Sequence, residues 1–236
     1  MDKILIYMLI KHNFIWDDVY NAIKNKEIIN KSNVNRTCAN IKSSYVTIIN
    51  DKYPYYLRTI FKPPFAVFYY GNFDLIHKKH VCIESDVNNQ NLKYLKFLAA
   101  NGFILCFKYL TLNEKSLILL SENHLPYIVY VDNMSAVIND KSLAKLIDTK
   151  HSCFVSETYD YEQKPSARFF YGSDIPVIFF DELGLKNHDQ KDYLTQKNNK
   201  IYLCTNCVLS SHEEGELKPL KIKNFKDFKI VFINKN

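Results

Sequence analysis

The chain predicts an α/β protein with a Rossmann-like, mainly parallel sheet and helices on both faces, preceded by a short helical N-terminal segment. Three observations carry this. From about Lys79 onward, short apolar runs recur, each separated from the next by a stretch with helical spacing. The runs are apolar throughout rather than alternating, the pattern of parallel strands covered on both faces. Residues 1–45 instead carry their apolar side chains at helical spacing. The predicted division is a helical segment over 1–45 and a Rossmann-like domain over 46–236.

The elements follow in order. Ile4, Leu5, Met8 and Leu9 mark one face of a first helix. Phe14, Trp16, Val19, Tyr20 and Ile23 mark a second, with Asp17 and Asp18 in its first turn, where carboxylates suit the helix dipole. The polar stretch from Asn30 to Asn40 reads as a linker. Strands are expected at Val81–Ile83, Phe103–Phe107, Tyr127–Val131, Cys153–Val155, Val177–Phe180 and Ile201–Cys204. Leu92 to Ala99, Leu112 to Leu120, Ser142 to Ile147 and a polar stretch around Asp189 to Thr195 are the helices between them. Ligands on such sheets bind outside the carboxyl ends of the strands, so those ends are the places to look for a site.

Composition narrows the class. At 236 residues the chain can bury a sizeable core. No apolar run approaches the roughly 18 residues of a membrane span. The short run Ile4–Ile10 lacks the small-residue cleavage site of a signal peptide, so a cytoplasmic protein is expected. Lysine outnumbers arginine 28 to 3, and Asn, Ile, Tyr and Phe are abundant. These residues share A/T-rich codons, so lysine excess and aromatic richness point to nucleic acid less strongly than they otherwise would. Net charge is +6. The densest basic block is the C-terminal run of Lys218, Lys221, Lys223, Lys226, Lys229 and Lys235. It is either an electrostatic footprint for phosphate or the solvated face of a terminal strand.

No secretory signal supports a disulfide framework for the six cysteines. Cys82, Cys106, Cys153 and Cys204 sit inside apolar strand runs, where cysteine acts as a small hydrophobe. Cys204 and Cys207 form a lone C-x-x-C, with His212 five residues on. Zinc sites of this kind need a second ligand pair, and none is identifiable, so no metal is expected. The seven histidines show neither nucleophile–base nor metal-ligand spacing. No P-loop and no G-x-G-x-x-G is present. No catalytic residue and no cofactor is therefore predicted.

The most specific stretch is Tyr53-Pro54-x-x-Leu57-x-x-Ile60-x-x-Pro63-Pro64-x-x-Val67-x-Tyr69-Tyr70-Gly71-Asn72. Tyr53-Pro54 favours an extended start, because the residue before proline is pushed out of the α region. Leu57 and Ile60 lie on one face of a short helix that Pro63-Pro64 ends. Phe65 to Tyr70 reads as a strand, and Gly71-Asn72 as the turn closing it. Over these twenty residues the spacing resembles the segment leading into the core domain of the DNA-processing protein A (DprA/Smf) family.

The resemblance spans most of residues 1–225 and is poorest at the binding turns. The family carries a Val-Gly-Ser-Arg-like turn after its first sheet strand; here stand Ile83-Glu84-Ser85-Asp86. Glycine lets a backbone approach phosphate, and two carboxylates repel it. Ser85 matches the family's serine, and Ser85 or Asp86 also suits a helix N-cap. The family's Ser-Gly-Leu-Ala-x-Gly-Ile-Asp motif is replaced by Cys106 to Glu114, which leaves Lys108 as a candidate phosphate contact. Val155-Ser156-Glu157 resembles the family's Leu-Ser-Glu. Lys164-Pro165-Ser166-Ala167-Arg168 falls where the family has Phe-Pro-x-Arg-Asn-Arg. Ser85, Lys108, Lys164 and Arg168 are thus the expected DNA-binding residues. The resemblance implies a homodimer that binds single-stranded DNA without catalysis and hands it to RecA in DNA uptake or recombination. The alternative is a degenerate Rossmann scaffold for protein–protein interaction that has lost DNA binding.

Overall fold

The structure, a computed structural model, describes residues 1–109, 112–160, 175–180, 201–204 and 220–233. It opens with three helices. α1 (Asp2–Lys11) buries Leu5, Ile6, Met8 and Leu9, and α2 (Trp16–Lys24) buries Val19 and Ala22. α3 (Lys31–Ala39) occupies the stretch predicted as a linker. Its cause is local: Asn30 Oδ1 accepts the Ser32 backbone N–H at 2.9 Å and caps the helix. Val34 turns inward, and Cys38 packs at the core edge. So small an apolar face leaves almost no periodic signal in sequence.

β1 (Ser44–Thr47), the single-turn α4 (Tyr55–Arg58) and β2 (Ala66–Gly71) lead into the sheet, followed by a 3-10 turn at Phe73–His77. Then come β3 (Lys79–Ile83), α5 (Leu92–Ala100), β4 (Phe103–Lys108), α6 (Glu114–Glu122) and β5 (Tyr127–Tyr130). α7 (Met134–Asn139), α8 (Lys141–Leu146), β6 (Ser152–Ser156), β7 (Val177–Phe179) and β8 (Ile201–Cys204) continue. β9 (Leu220–Ile222) and α9 (Phe225–Ile233) complete the described elements. The predicted strands between Lys79 and Cys204 all form. β1 was not predicted, because a four-residue edge strand carries too short a pattern. Within the basic C-terminal block, residues 220–233 form a short strand followed by a helix, since Phe225, Phe228 and Phe232 supply an apolar face at helical spacing.

The nine-stranded sheet has the order β1-β2-β6-β5-β4-β3-β7-β8-β9. All pairs from β6 through β9 are parallel. β2 runs antiparallel to β6 and to β1. Alternate strand residues feed two apolar layers. Phe103, Leu105 and Phe107 of β4 face the layer built with α1, α2, α5, α6 and α9. Ile104 and Cys106 face the layer that holds Leu57 of α4 and Leu75 and Ile76 of the 3-10 turn. In that second layer Cys82 lies opposite Cys106, Cys106 opposite Ile128, and Ile128 opposite Cys153. The three are free thiols, and burial pushes each well above the ordinary thiol range. No helix among the described residues is long and apolar enough to cross a membrane.

The Tyr53–Asn72 stretch fastens the N-terminal helices and the edge strands to this sheet. The Tyr53 hydroxyl donates to the Pro64 carbonyl at 2.6 Å, and Trp16 Nε1 donates to the Pro63 carbonyl at 2.8 Å. Trp16 also stacks on Phe65, with ring centroids 5.1 Å apart. The two proline carbonyls thus receive donors from a buried tyrosine and from α2. Gly71 takes φ +103°, and a Cβ there would lie 2.3 Å from the Ser152 carbonyl oxygen. Asn72 then donates its backbone N–H to Ser152 O at 2.8 Å and its Nδ2 to Lys150 O at 2.9 Å. The residues predicted as a turn are also the tie between β2 and β6.

Candidate nucleic-acid interface

The strand order reverses between β3 and β7. From β3 the chain builds outward through β4, β5 and β6 on one side, and through β7, β8 and β9 on the other. The crevice at the carboxyl ends of two such strands is where open α/β sheets bind ligands. Here a side chain bridges the two strand ends. Ser85 is buried, and its Oγ accepts the Phe180 backbone N–H at 2.9 Å, linking the end of β3 to the end of β7. Beside it, Lys108 Nζ lies 3.4 Å from Glu84 Oε1, with the side chains 12% and 5% exposed. Lys108, at the end of β4, therefore neutralises a buried carboxylate just past β3.

The loop after Ser85 is braced from within. Asn88 Oδ1 accepts the backbone N–H groups of Gln90 and Asn91 at 2.9 and 3.2 Å. Asn91 Oδ1 accepts the Asn88 N–H at 3.0 Å, and Asn91 Nδ2 donates to Asp86 O at 2.7 Å. Ser116 Oγ of α6 accepts the Val87 N–H at 3.1 Å and donates to Val87 O at 3.2 Å. A phosphate loop must keep its N–H groups free for the anion. These N–H groups point at side-chain oxygens. α5 starts at Leu92 with Asn91 at the N-cap position, so neither Ser85 nor Asp86 caps it. The asparagines, three in four residues, make the intervening turns instead.

The Val155-Ser156-Glu157 motif is also tied to the sheet edge. Ser156 Oγ and Thr158 Oγ1 both donate to the Asp132 carbonyl, and the Thr158 N–H donates to Ser156 Oγ at 3.1 Å. Lys164 and Arg168 lie outside the described residues, as do Cys207, His212 and the Asp189 to Thr195 stretch. Cys204 is buried at the end of β8, which pushes its thiol up to about 12.

A basic, aromatic surface is assembled where α9 packs on α5. Tyr94 and Phe97 of α5 meet Phe225 and Phe228 of α9 edge to face, with centroids 4.9–6.1 Å apart. Phe228 is fully buried, while Phe225 and Phe97 are half-buried. Lys93 Nζ lies 5.7 Å and Lys229 Nζ 4.8 Å from the Phe225 ring centroid. Lys96 and Lys226 stand exposed on the same two helices. Both helices leave the carboxyl ends of parallel strands, so their first turns, with Lys93 and Phe225, lie at the ligand-binding edge of the sheet. The tail lysines were visible in sequence. Their partners on α5 were not, because the packing of α9 on α5 depends on a strand order that sequence does not disclose.

At the opposite edge, the chain brings together His124, Asp148 and His151. Sequence spacing gave no metal-ligand pattern among the histidines. The fold supplies one by placing the end of α6 beside the turn before β6, and the i, i+3 spacing of Asp148 and His151 was the available signal.

Together these features define a Rossmann-like α/β protein whose switch-point strand ends are bridged by a buried serine and whose carboxyl edge is flanked by a lysine-rich aromatic surface. Solved structures of DNA processing protein A (DprA) share this fold. The Streptococcus pneumoniae protein is 15% identical, with a TM-score of 0.58 over 98% of this chain and 93% of that one. The Helicobacter pylori protein, which has a unique single-stranded DNA binding mode, is 17% identical, with a TM-score of 0.57 over 82% of this chain and 97% of that one. No family model and no curated protein matches the sequence.

Proposed function

We propose that this protein is a divergent DprA/Smf-type protein that binds single-stranded DNA without catalysing a reaction on it. The observation that carries this reading is the pair Lys93 and Lys229 flanking the half-exposed Phe225 ring. Ammonium groups beside an aromatic face are the elements that bind a flexible strand without reading sequence: lysines take phosphates, and the ring takes a base. Likeness to DprA over nearly the whole chain supports it. So does the Tyr53–Asn72 stretch. On this reading the protein acts as a cytoplasmic homodimer and passes the strand to RecA. Lys164 and Arg168 would extend the contact from the family's groove.

A second reading has its own support. Ser85 is bridged to Phe180, and Lys108 is paired with Glu84, so both expected contacts are engaged within the chain. That arrangement suits a scaffold that keeps the fold for protein–protein contact and has lost DNA.

Titration of a fluorescent oligothymidine, at low and moderate salt, separates the two. Binding is expected to fall steeply with salt. Lys93→Glu with Lys229→Glu is expected to weaken it at least tenfold, roughly, and to reduce the salt slope by about 1.4, or about 0.7 per lost phosphate. Lys108→Glu is expected to do less to binding, since that lysine is engaged with Glu84. If Arg168→Glu alone abolishes binding, the family's groove carries the contact instead. If wild-type protein binds nothing at low salt, the scaffold reading stands.

A further inference from the structure

We propose that His124, Asp148 and His151 form a binding site for a divalent transition-metal ion of the zinc class. The three side chains come from two turns at the amino edge of the sheet, away from the surface assigned to DNA. Their ligand atoms all lie within 4.8 Å of one another. Asp148 Oδ2 stands 2.8 Å from His151 Nδ1 and 3.6 Å from His124 Nδ1. In a tetrahedral zinc site with bonds of about 2.0–2.1 Å, ligand atoms lie about 3.3 Å apart. The two carboxylate–imidazole separations straddle that value, so an ion fits with side-chain rotations that bring the imidazoles into place.

Backbone hydrogen bonds fix the main chain that carries each ligand, and one fixes the carboxylate itself. The other carboxylate oxygen, Asp148 Oδ1, accepts the Lys150 N–H at 3.1 Å, which leaves Oδ2 turned toward the imidazoles. The Asp148 carbonyl accepts the N–H groups of His151 at 3.0 Å and Ser152 at 2.8 Å. Such outer contacts fix ligand orientation in metal sites. His124 ends α6: its N–H bonds to Ser121 O at 3.0 Å, and the Leu125 N–H bonds to Leu120 O at 3.1 Å. This is the helix-ending motif whose left-handed position glycine normally takes. Histidine holds it here at φ +50°. The position also places the imidazole at the negative end of the helix dipole, which favours a cation.

Two imidazoles and one carboxylate suit zinc, cobalt, nickel or copper, whereas magnesium and calcium take oxygen donors. His124 is 73% exposed, so the outward side of the ion is left to water or to an exogenous ligand. The site is therefore open, with three protein ligands.

The test uses full-length protein stripped with chelator. Zinc is expected to bind one per chain and to raise the melting temperature, while magnesium does neither. Cobalt is expected to give visible absorption of tetrahedral or five-coordinate intensity. His124→Gly removes a ligand yet restores the residue the helix end prefers. It is expected to fold at least as stably without metal and to bind zinc more weakly, by upwards of about tenfold. Asp148→Asn is expected to lose zinc as well. The proposal is overturned if zinc leaves the melting temperature unchanged. It is equally overturned if His124→Gly binds zinc as tightly as the wild type, which would place the ion elsewhere.

Discussion

Gly71→Ala is expected to cost roughly 3–5 kcal/mol of folding stability, read as a fall in the urea midpoint at unchanged slope. Two effects combine. At φ +103° an L side chain is strained on its own. The new Cβ would also stand 2.3 Å from Ser152 O and 3.2 Å from Ser152 C, both backbone atoms of β6. Backbone cannot swing aside as a long side chain can, so β2 must move off β6. That shift strains the register Gly71↔Cys153 and the Asn72 N–H bond to Ser152 O. Gly102 separates the two effects. It has φ +80°, yet a Cβ there would meet nothing within 4 Å. Gly102→Ala is expected to cost only about 1 kcal/mol, the backbone term alone. Equal losses at the two sites would show that the close approach of β2 to β6 has no energetic weight.

Acid is expected to weaken the fold through His80 before it reaches the carboxylates. His80 is buried, and burial depresses its pKa from 6.5 to about 4. Its Nε2 lies 3.1 Å from the Leu75 carbonyl, which can only accept, so Nε2 carries the proton of the neutral ring. Tyr56 packs its ring edge-on at 5.8 Å. Because the folded pKa lies below the unfolded one, the unfolded chain binds the extra proton between them. The contribution is complete above about pH 6.5 and is lost as pH falls through about 4. It amounts to about 3 kcal/mol, at about 1.4 kcal/mol per pH unit. Asp140 and Asp148 are held below their ordinary value of 3.8, the first by Ser142 and the second by His151, so their losses come at lower pH. His80→Gln keeps a donor for Leu75 O and removes the titration. Its stability is expected to be flat between about pH 5 and 6.5, where the wild type slopes; below that the loss of the Lys11–Glu27 contact begins in both. A wild type equally flat there would contradict the burial assigned to His80.

The strands were legible because burial on both faces makes them apolar throughout, as Phe103–Phe107 and Tyr127–Val131 show. Gly71-Asn72 was legible as a turn, but its close approach to Ser152 needed the pairing of β2 with β6. α3 was missed because Val34 and Cys38 are too few to mark a period; Asn30, its cap, was visible but read as linker. Ser85 and Lys108 could be placed at strand ends. That Phe180 and Glu84 would engage them could not be known, since neither neighbour is near in sequence. Lys93 beside Phe225, and His124 beside Asp148, likewise depend on strand order. Local patterns fix which segments become strands and helices, and only the assembled sheet decides which of their ends meet.

The cysteines of the second apolar layer give the sheet a built-in record of its own opening. Thiolate is the reactive form, so a thiol that is both covered and raised in pKa waits for exposure before it reacts. Cys82, Cys106 and Cys153 sit on three different strands, β3, β4 and β6, in one row across the sheet. Cys38, only partly covered, lies apart on α3 and reports ordinary surface access. An alkylating reagent, with each adduct located by peptide mass, therefore distinguishes two ways of coming apart. If the sheet opens as one cooperative unit, the row gains its three adducts together, at the rate of global unfolding. If the β2–β6 edge peels away first, Cys153 is modified while Cys82 and Cys106 stay protected, and molecules modified at Cys153 but at neither of the other two accumulate. Ordinary buried thiols thus become a strand-resolved stopwatch, needing no engineered label.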